Sequence, residues 1–329
     1  MSKKIRVGLI GAGAIAQKYH IPGFLSYDDV EIAAIADPNA ETARKVAEKY
    51  NVKQVFSDYN DMLECNLDCV SVCAPNKFHA PASIAALSKK LPVLCEKPLS
   101  MSMDECDDIR RAAELSGKFL MVEFPMRFDK AYVEAKRLLK QGVLGKIISI
   151  KSTWTHGGPE KWSPGGSWYY NQDLAGGGVV ADLAIHSVDA VRFLADSDVL
   201  ESVGFCATLL KDSDLEDTGV ISFRLCNGIL GQVDVSWCSG PQLVRTEVFG
   251  SEGRMVLSEW PTSCFEMVLE GEINGRMYPV YGYNRDDQDP HILCVRYFVD
   301  CVRSGQQPDT ATLNDGINTM ETVLNIYKR

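Results

Sequence analysis

The chain has 329 residues, 46% hydrophobic and 24% charged, which is enough for two globular domains that each bury a core. A net charge of −10 and a pI near 5.1 argue against nucleic acid as a partner, because duplex binding needs a basic surface. The apolar run after the first four residues is too short for a signal segment and no run of about 18 apolar residues is read from the sequence, so a cytoplasmic protein without a membrane anchor is expected.

From residue 4 to about 122, short β-like apolar runs alternate with helical patterns. The runs are 5–10, 31–36, 67–73, 92–95 and 119–122, and helices are expected over 40–50, 80–89 and 103–116. Ser102 and Gly117 stand where the last helix needs an N-cap and a stop. Such alternation predicts βαβ units and a parallel, doubly wound α/β sheet. After Phe124 the pattern changes. A helix near 130–141 leads to a strand over 146–154, a Gly- and Trp-rich loop, and a helix near 180–194. Strand-like runs follow near 201–210, 218–226, 229–237, 243–249 and 265–270, which predict a meandering antiparallel sheet, and helices near 291–303 and 313–327 close the chain. The expected domains are 1–122 and 123–329.

The eleven cysteines are odd in number and include no C-x-x-C pair. The even spacing of Cys65, Cys69 and Cys73 invites a metal reading. The last two fall in a strand-like run, however, where a thiol packs as a small hydrophobe, so free thiols and no metal are expected.

Gly11-Ala12-Gly13-Ala14-Ile15-Ala16 follows the first strand and opens a helix, the context a dinucleotide turn requires. Gly11 permits the tight turn and Gly13 lets backbone approach a pyrophosphate. Ala14 and Ile15 begin the helix whose N-terminus favours that anion, and Ala16 keeps it close to the sheet. Asp37 ends the next strand, where a carboxylate can accept hydrogen bonds from both adenosine ribose hydroxyls and would repel a 2′-phosphate. NAD is therefore favoured over NADP; the plainer reading is a turn residue before Pro38.

Leu94-Cys95-Glu96-Lys97-Pro98 places a lysine just past a buried parallel strand, at the edge where ligands of such sheets bind. Farther on, Gly176-Gly177-Gly178 precedes a helix on which Asp182 and His186 stand at i and i+4, on one face. A lone His on an apolar helix is more often core; the paired Asp, the glycines and Lys97 favour function.

These motifs, with Ala74-Pro75-Asn76-Lys77-Phe78-His79 and Gly250-Ser251-Glu252-Gly253, make the whole chain resemble the Gfo/Idh/MocA oxidoreductases, named for glucose–fructose oxidoreductase and inositol dehydrogenase. The resemblance implies a Rossmann domain followed by a large open antiparallel sheet that often carries a dimer or tetramer interface. It further implies that Lys97, Asp182 and His186 form the catalytic group. His186 would be the general base, Lys97 the donor to the reacting oxygen, and Asp182 the group that orients the substrate or His186. Ala74, Pro75, Asn76, His79 and Glu96 would join Lys97 around the cofactor, His79 with a structural alternative as the start of its helix. Where the family often has Gly two residues after the motif Asp, this chain has Ala184, which bears on the exact substrate geometry.

The loop from His156 to Tyr170 holds Trp162, Trp168, Tyr169 and Tyr170, aromatic faces suited to a carbohydrate ring or simply to packing. Trp168, Tyr169, Arg127, His156 and Tyr283 are the candidate substrate contacts. The expected activity is an NAD-dependent hydride transfer at a secondary hydroxyl or ketone of a sugar, polyol or derivative. An NAD-dependent glycoside hydrolase working by transient oxidation and elimination, and a sensor without turnover, are the alternatives.

Overall fold

The computed structural model describes residues 4–161, 163, 166–258, 264–269, 276–279 and 289–328. They form two compact units, Met1–Pro125 with His291–Ile317, and Met126–Pro290 with Asn318–Arg329.

The first unit is built on six strands: β1 (Ile5–Ile10), β2 (Val30–Ala36), β3 (Gln54–Phe56), β4 (Cys69–Val72), β5 (Val93–Cys95) and β6 (Leu120–Val122). All are parallel, in the order β3-β2-β1-β4-β5-β6. This order reverses direction between β1 and β4, which opens a crevice at the carboxyl ends of those strands. Strands β4 to β6 are buried at every position, as expected of a parallel sheet covered on both faces. The cap signals work as expected on Met103–Ser116: Ser102 accepts the Glu105 N–H, and Gly117 ends the helix at φ +68°. Strand β3 escaped the sequence reading because it is three residues long and largely exposed, too short for a period.

Residues 291–317 were expected in the second domain but pack with the first unit. His291 stacks on Tyr19 at 4.0 Å, and Phe298 meets Phe24 and Phe119 edge-on at 6.3 and 5.7 Å. The helix Pro290–Ser304 buries Cys294, Val295, Phe298, Val299 and Cys301. An apolar stripe shows that a helix has an inner face, not which core receives it.

The second unit holds an eight-stranded sheet of β7 (Ile147–Thr155), β8 (Val199–Ala207), β9 (Thr218–Leu225), β10 (Leu230–Ser236), β11 (Leu243–Gly250), β12 (Gly253–Ser258), β13 (Cys264–Leu269) and β14 (Arg276–Pro279). The order is β14-β13-β12-β11-β7-β10-β9-β8. The sheet is mainly antiparallel, as expected, with one exception: β7 lies parallel to β10. A long connection containing the Asp182 helix separates β7 from β8, so β7 can insert between β10 and β11 instead of pairing with its successor. Ile150, Ile221, Phe223, Val233, Val235, Val244 and Val248 are among the side chains the sheet adds to the core.

The helical stretch Gln172–Ala195 is long and apolar enough by composition to cross a bilayer, contrary to the sequence reading, but 89% of the qualifying window is buried inside the protein. It is a core helix. The ten cysteines with described side chains are free thiols, and burial raises the pKa of Cys69 above the ordinary thiol value.

Candidate active site

In the first unit, the predicted cofactor residues gather at the carboxyl ends of the parallel strands. Gly11 follows β1 at φ +90°, and a Cβ there would lie 2.7 Å from the backbone carbonyl of Cys73. Only glycine fits so close a crossing of the two strand ends. At Gly13 an added Cβ would meet nothing within 4 Å. Gly13 and Ala14 are exposed, Ile15 is half-buried and Ala16 is fully buried, so the turn presents open backbone to solvent while its far side seats on the sheet. An extended anion such as a pyrophosphate needs this arrangement. Asp37 ties the turn in place: Oδ2 accepts the Ala12 N–H and Oδ1 the Asn39 N–H, both at 2.8 Å. Each carboxylate oxygen keeps a further acceptor position for a ribose hydroxyl. The residues present therefore fit a dinucleotide.

The next two strand ends are fastened to each other by His79. Its ring lies between the carbonyl oxygens of Pro98, 2.6 Å from Nδ1, and Ala74, 2.7 Å from Nε2. Burial lowers its pKa, although both carbonyls act in the opposite sense. His79 thus anchors the loops carrying Ala74, Pro75 and buried Asn76 on one side and Lys97 on the other. Lys97 is half-buried just past β5. Glu96 turns inward: Oε1 is 3.0 Å from His20 Nε2, and Oε2 accepts the Lys97 N–H at 3.2 Å.

In the second unit, the Asp182 helix begins as a π turn over Val180–Ala184 and continues as Ile185–Ala195. Such turns are rare and frequent at functional sites. Asp182 and His186 are 5% and 6% exposed, and Ala184 between them is fully buried. Trp237 Nε1 donates to Asp182 Oδ2 at 3.2 Å, and the Trp154 ring lies 4.9 Å from that of His186. A carboxylate and an imidazole are thus buried on one helix, each beside an indole.

The helix is held from its N-terminal end. Glu216 Oε1 accepts the N–H groups of Gly178 (2.8 Å) and Val180 (3.1 Å) and the hydroxyl of Tyr327 (2.6 Å). The Ala181 N–H in turn donates to Tyr327 Oη at 3.1 Å. Burial raises the Glu216 pKa despite these donors. This contact explains two of the three glycines: a Cβ on Gly177 would lie 2.5 Å from Tyr327 Oη, and one on Gly178 only 2.0 Å from the Glu216 carbonyl oxygen.

Two segments of the chain match family descriptions. Residues 5–124 match "Oxidoreductase family, NAD-binding Rossmann fold", and residues 132–256 match "GFO/IDH/MocA C-terminal domain". The chain belongs to the Gfo/Idh/MocA oxidoreductase family. Within it, the chain is 32% identical to the uncharacterized oxidoreductase YrbE of Bacillus subtilis, covering 96% of this chain and 92% of that one. It is 27% identical to myo-inositol 2-dehydrogenase of Thermotoga maritima, over 92% and 90% of the two chains. A solved levoglucosan dehydrogenase in complex with NADH and levoglucosan has the same fold, at TM-score 0.86, 20% identity and 98% coverage of both chains.

Of the candidate substrate contacts of this Gfo/Idh/MocA protein, four have described positions. Arg127 is 8% exposed and donates from Nε (2.8 and 3.1 Å) and Nη2 (2.7 Å) to Asp189, which makes its fork a buried structural ion pair. His156 is buried, and its Nδ1 accepts the Gly158 N–H at 2.9 Å, which leaves the ring proton on Nε2. Trp168 and Tyr169 stack at 3.9 Å, with Trp168 half-buried and Tyr169 buried. Tyr283, and Trp162 of the same loop, lie outside the described residues.

Tyr170, the last aromatic of that loop, faces Trp237 edge-on at 5.5 Å and donates to Glu160 at 2.5 Å. Against the effect of its partial burial, Lys211 and Tyr170 hold the Glu160 carboxyl down at about 2. Several other residues around these groups were not singled out from sequence. Trp154 and Trp237 stand at or just past strand ends, where they read as ordinary core. His20, Glu216 and Tyr327 carry no local motif, so only the folded chain reveals their partners.

Proposed function

We propose that this protein transfers a hydride between NAD and a secondary hydroxyl or ketone of a sugar, polyol or sugar derivative, with Lys97, Asp182 and His186 as its catalytic group. The observation that carries this reading is the buried Asp182–His186 pair on one helix, in a chain that also bears an open dinucleotide turn followed by Lys97. Relatives are named as dehydrogenases of myo-inositol and scyllo-inositol, which supports a polyhydroxylated ring as substrate.

In the oxidising direction, His186 takes the proton of the reacting hydroxyl; an ordinary imidazole titrates at about pH 6.5 and is neutral above it. Lys97 donates a hydrogen bond to the same oxygen and stabilises its developing negative charge. Asp182, held by Trp237, orients the substrate or the imidazole. When bound, NAD supplies the hydride acceptor at C4 of its nicotinamide. Gly11, Gly13, Ala14 and Ile15 would seat its pyrophosphate and Asp37 its adenosine ribose. Trp168 offers an aromatic face to the carbohydrate ring, next to Tyr169.

A panel of myo-inositol, D-glucose and levoglucosan, each with NAD, tests the reading by the absorbance of the reduced cofactor. Net NADH formation with at least one member is expected. Release of nitrophenol from nitrophenyl glucosides without net NADH would instead show the elimination chemistry of a glycoside hydrolase. The Asp37 assignment has its own outcome. Asp37→Ala removes a charged acceptor that also repels a 2′-phosphate and should raise the Kd for NAD, relative to that for NADP, by about tenfold or more. An unaltered ratio of the two would remove Asp37 from cofactor choice.

The outer face of the second unit's sheet supports a homodimer or homotetramer. Val203, Phe205, Val220 and Leu230 are 44%, 76%, 37% and 54% exposed there, with Phe205 directly opposite Val220 on the neighbouring strand. Adjoining exposed apolar side chains of this kind mark contact surfaces. Light scattering should give a multiple of 36.3 kDa, and a monomer mass would remove this part of the proposal.

A further inference from the structure

Beneath the dinucleotide turn lies a polar cluster that the reaction as described does not use. His20, on the helical segment opened by Gly11 and Gly13, is fully buried. Its Nδ1 is 2.8 Å from the hydroxyl of Ser71 on β4, and its Nε2 is 3.0 Å from Glu96 Oε1, 76 residues away in the chain. The second oxygen of Glu96 accepts the backbone N–H of Lys97 at 3.2 Å. Burial disfavours the charged ring, yet Cys73 and the Glu96 carboxylate raise the His20 pKa well above the ordinary imidazole value. The matching carboxylate resists its own burial, and His20, Lys97 and His291 hold its pKa low.

A buried imidazolium–carboxylate pair is a poor device for stability alone, because two well-packed apolar side chains of similar volume commonly do as well. What the pair supplies is geometric. It ties the helix of the cofactor turn to a residue whose carboxylate also receives the Lys97 backbone.

We propose that His20 is a positioning residue for Lys97, acting through Glu96: it fixes the carboxylate that holds the Lys97 N–H, and so sets the origin from which the Lys97 side chain reaches the reacting oxygen. This rests on the catalytic reading of Lys97 given above. The role belongs to Nε2, which faces Glu96; Nδ1 serves only the Ser71 side.

The two ring nitrogens can be tested separately. The amide nitrogen of Gln stands near where Nε2 stood, and that of Asn near where Nδ1 stood. His20→Gln should keep the Glu96 contact and His20→Asn only the Ser71 contact. Measured with myo-inositol, or whichever sugar of the panel turns over, His20→Asn and His20→Leu should lower kcat by about tenfold to a hundredfold, as expected for misplacement of a catalytic group by about 1 Å. His20→Gln should stay within a few-fold of the unaltered protein. NAD affinity, read by quenching of tryptophan fluorescence, should change little in any of the three. Equal kcat for the Gln and Asn variants would overturn the proposal, as would loss of NAD binding in step with kcat. If His20→Leu does not fold, the Gln and Asn pair alone decides.

A double-mutant cycle separates this proposal from the reading beneath it. With Lys97→Ala already in place, adding His20→Asn should cost nothing further, because the side chain it positions is gone. Additive losses mean that His20 acts by another route, while the Lys97 assignment stands. If Lys97→Ala turns over like the unaltered protein, the catalytic reading fails and the positioning role fails with it.

Discussion

Replacing Lys97 with alanine is expected to lower kcat by about 10²- to 10³-fold, the loss typical of one preorganised donor to a developing oxyanion. NAD affinity should stay within a small factor, because the turn at Gly11 and Gly13 and the Asp37 carboxylate remain in place. Lys97 is half-buried and lies past the end of β5, whose own residues are fully buried, so removing its side chain leaves the sheet intact. A fall in kcat and kcat/KM together identifies an interaction made only in the transition state, whereas a rise in KM alone would indicate ground-state binding. Turnover within a few-fold of the unaltered protein would show that Lys97 is not catalytic.

The second large effect falls on stability. At Gly178 an added Cβ would lie 2.0 Å from the Glu216 carbonyl oxygen and 3.0 Å from two further Glu216 backbone atoms. Backbone cannot swing aside as the end of a flexible side chain can, so the strand approach or the start of the helix must move. Either movement breaks the bonds from Gly178 and Val180 to the Glu216 carboxylate. Gly178→Ala should therefore destabilise the second unit by about 3 kcal/mol or more, overpacking and cap loss combined. That corresponds to a fall in Tm on the order of 10 °C. Gly13→Ala is the contrast, because open space surrounds its Cβ position. It should melt like the unaltered protein yet bind NAD more weakly, since the added methyl occupies the approach of the pyrophosphate. Scanning calorimetry with a fluorescence titration separates the two, and equal melting of Gly178→Ala and the unaltered protein would contradict the structural account.

The two glycine motifs also show what was legible in the sequence. Both stood out by pattern, and the first could be interpreted because a strand, a turn and a helix are local. The role of Gly177 and Gly178 could not, because the surfaces that demand them come from Glu216 and Tyr327, far along the chain. The same division runs through the fold. The helix Met103–Ser116 was readable to its caps, whereas the parallel pairing of β7 with β10 and the return of residues 291–317 to the first unit depend on contacts between distant segments. Arg127 illustrates the limit for single residues. A conspicuous arginine after the cofactor domain suggests a substrate contact, but its partner, Asp189, lies on the very helix that carries His186. His20 illustrates the converse: no local motif marks it, and the fold brings Ser71 and Glu96 to its ring from distant parts of the chain.

Hydrogen is expected to leave a carbon of the sugar as a hydride and to arrive on the nicotinamide. Myo-inositol or D-glucose, deuterated at every carbon, incubated with NAD in ordinary water, tests it by mass spectrometry of the cofactor. One deuterium at C4 of the reduced nicotinamide for each ketone formed is the predicted result. Reduced cofactor carrying only solvent hydrogen, or oxidised sugar with no reduced cofactor, would contradict the account.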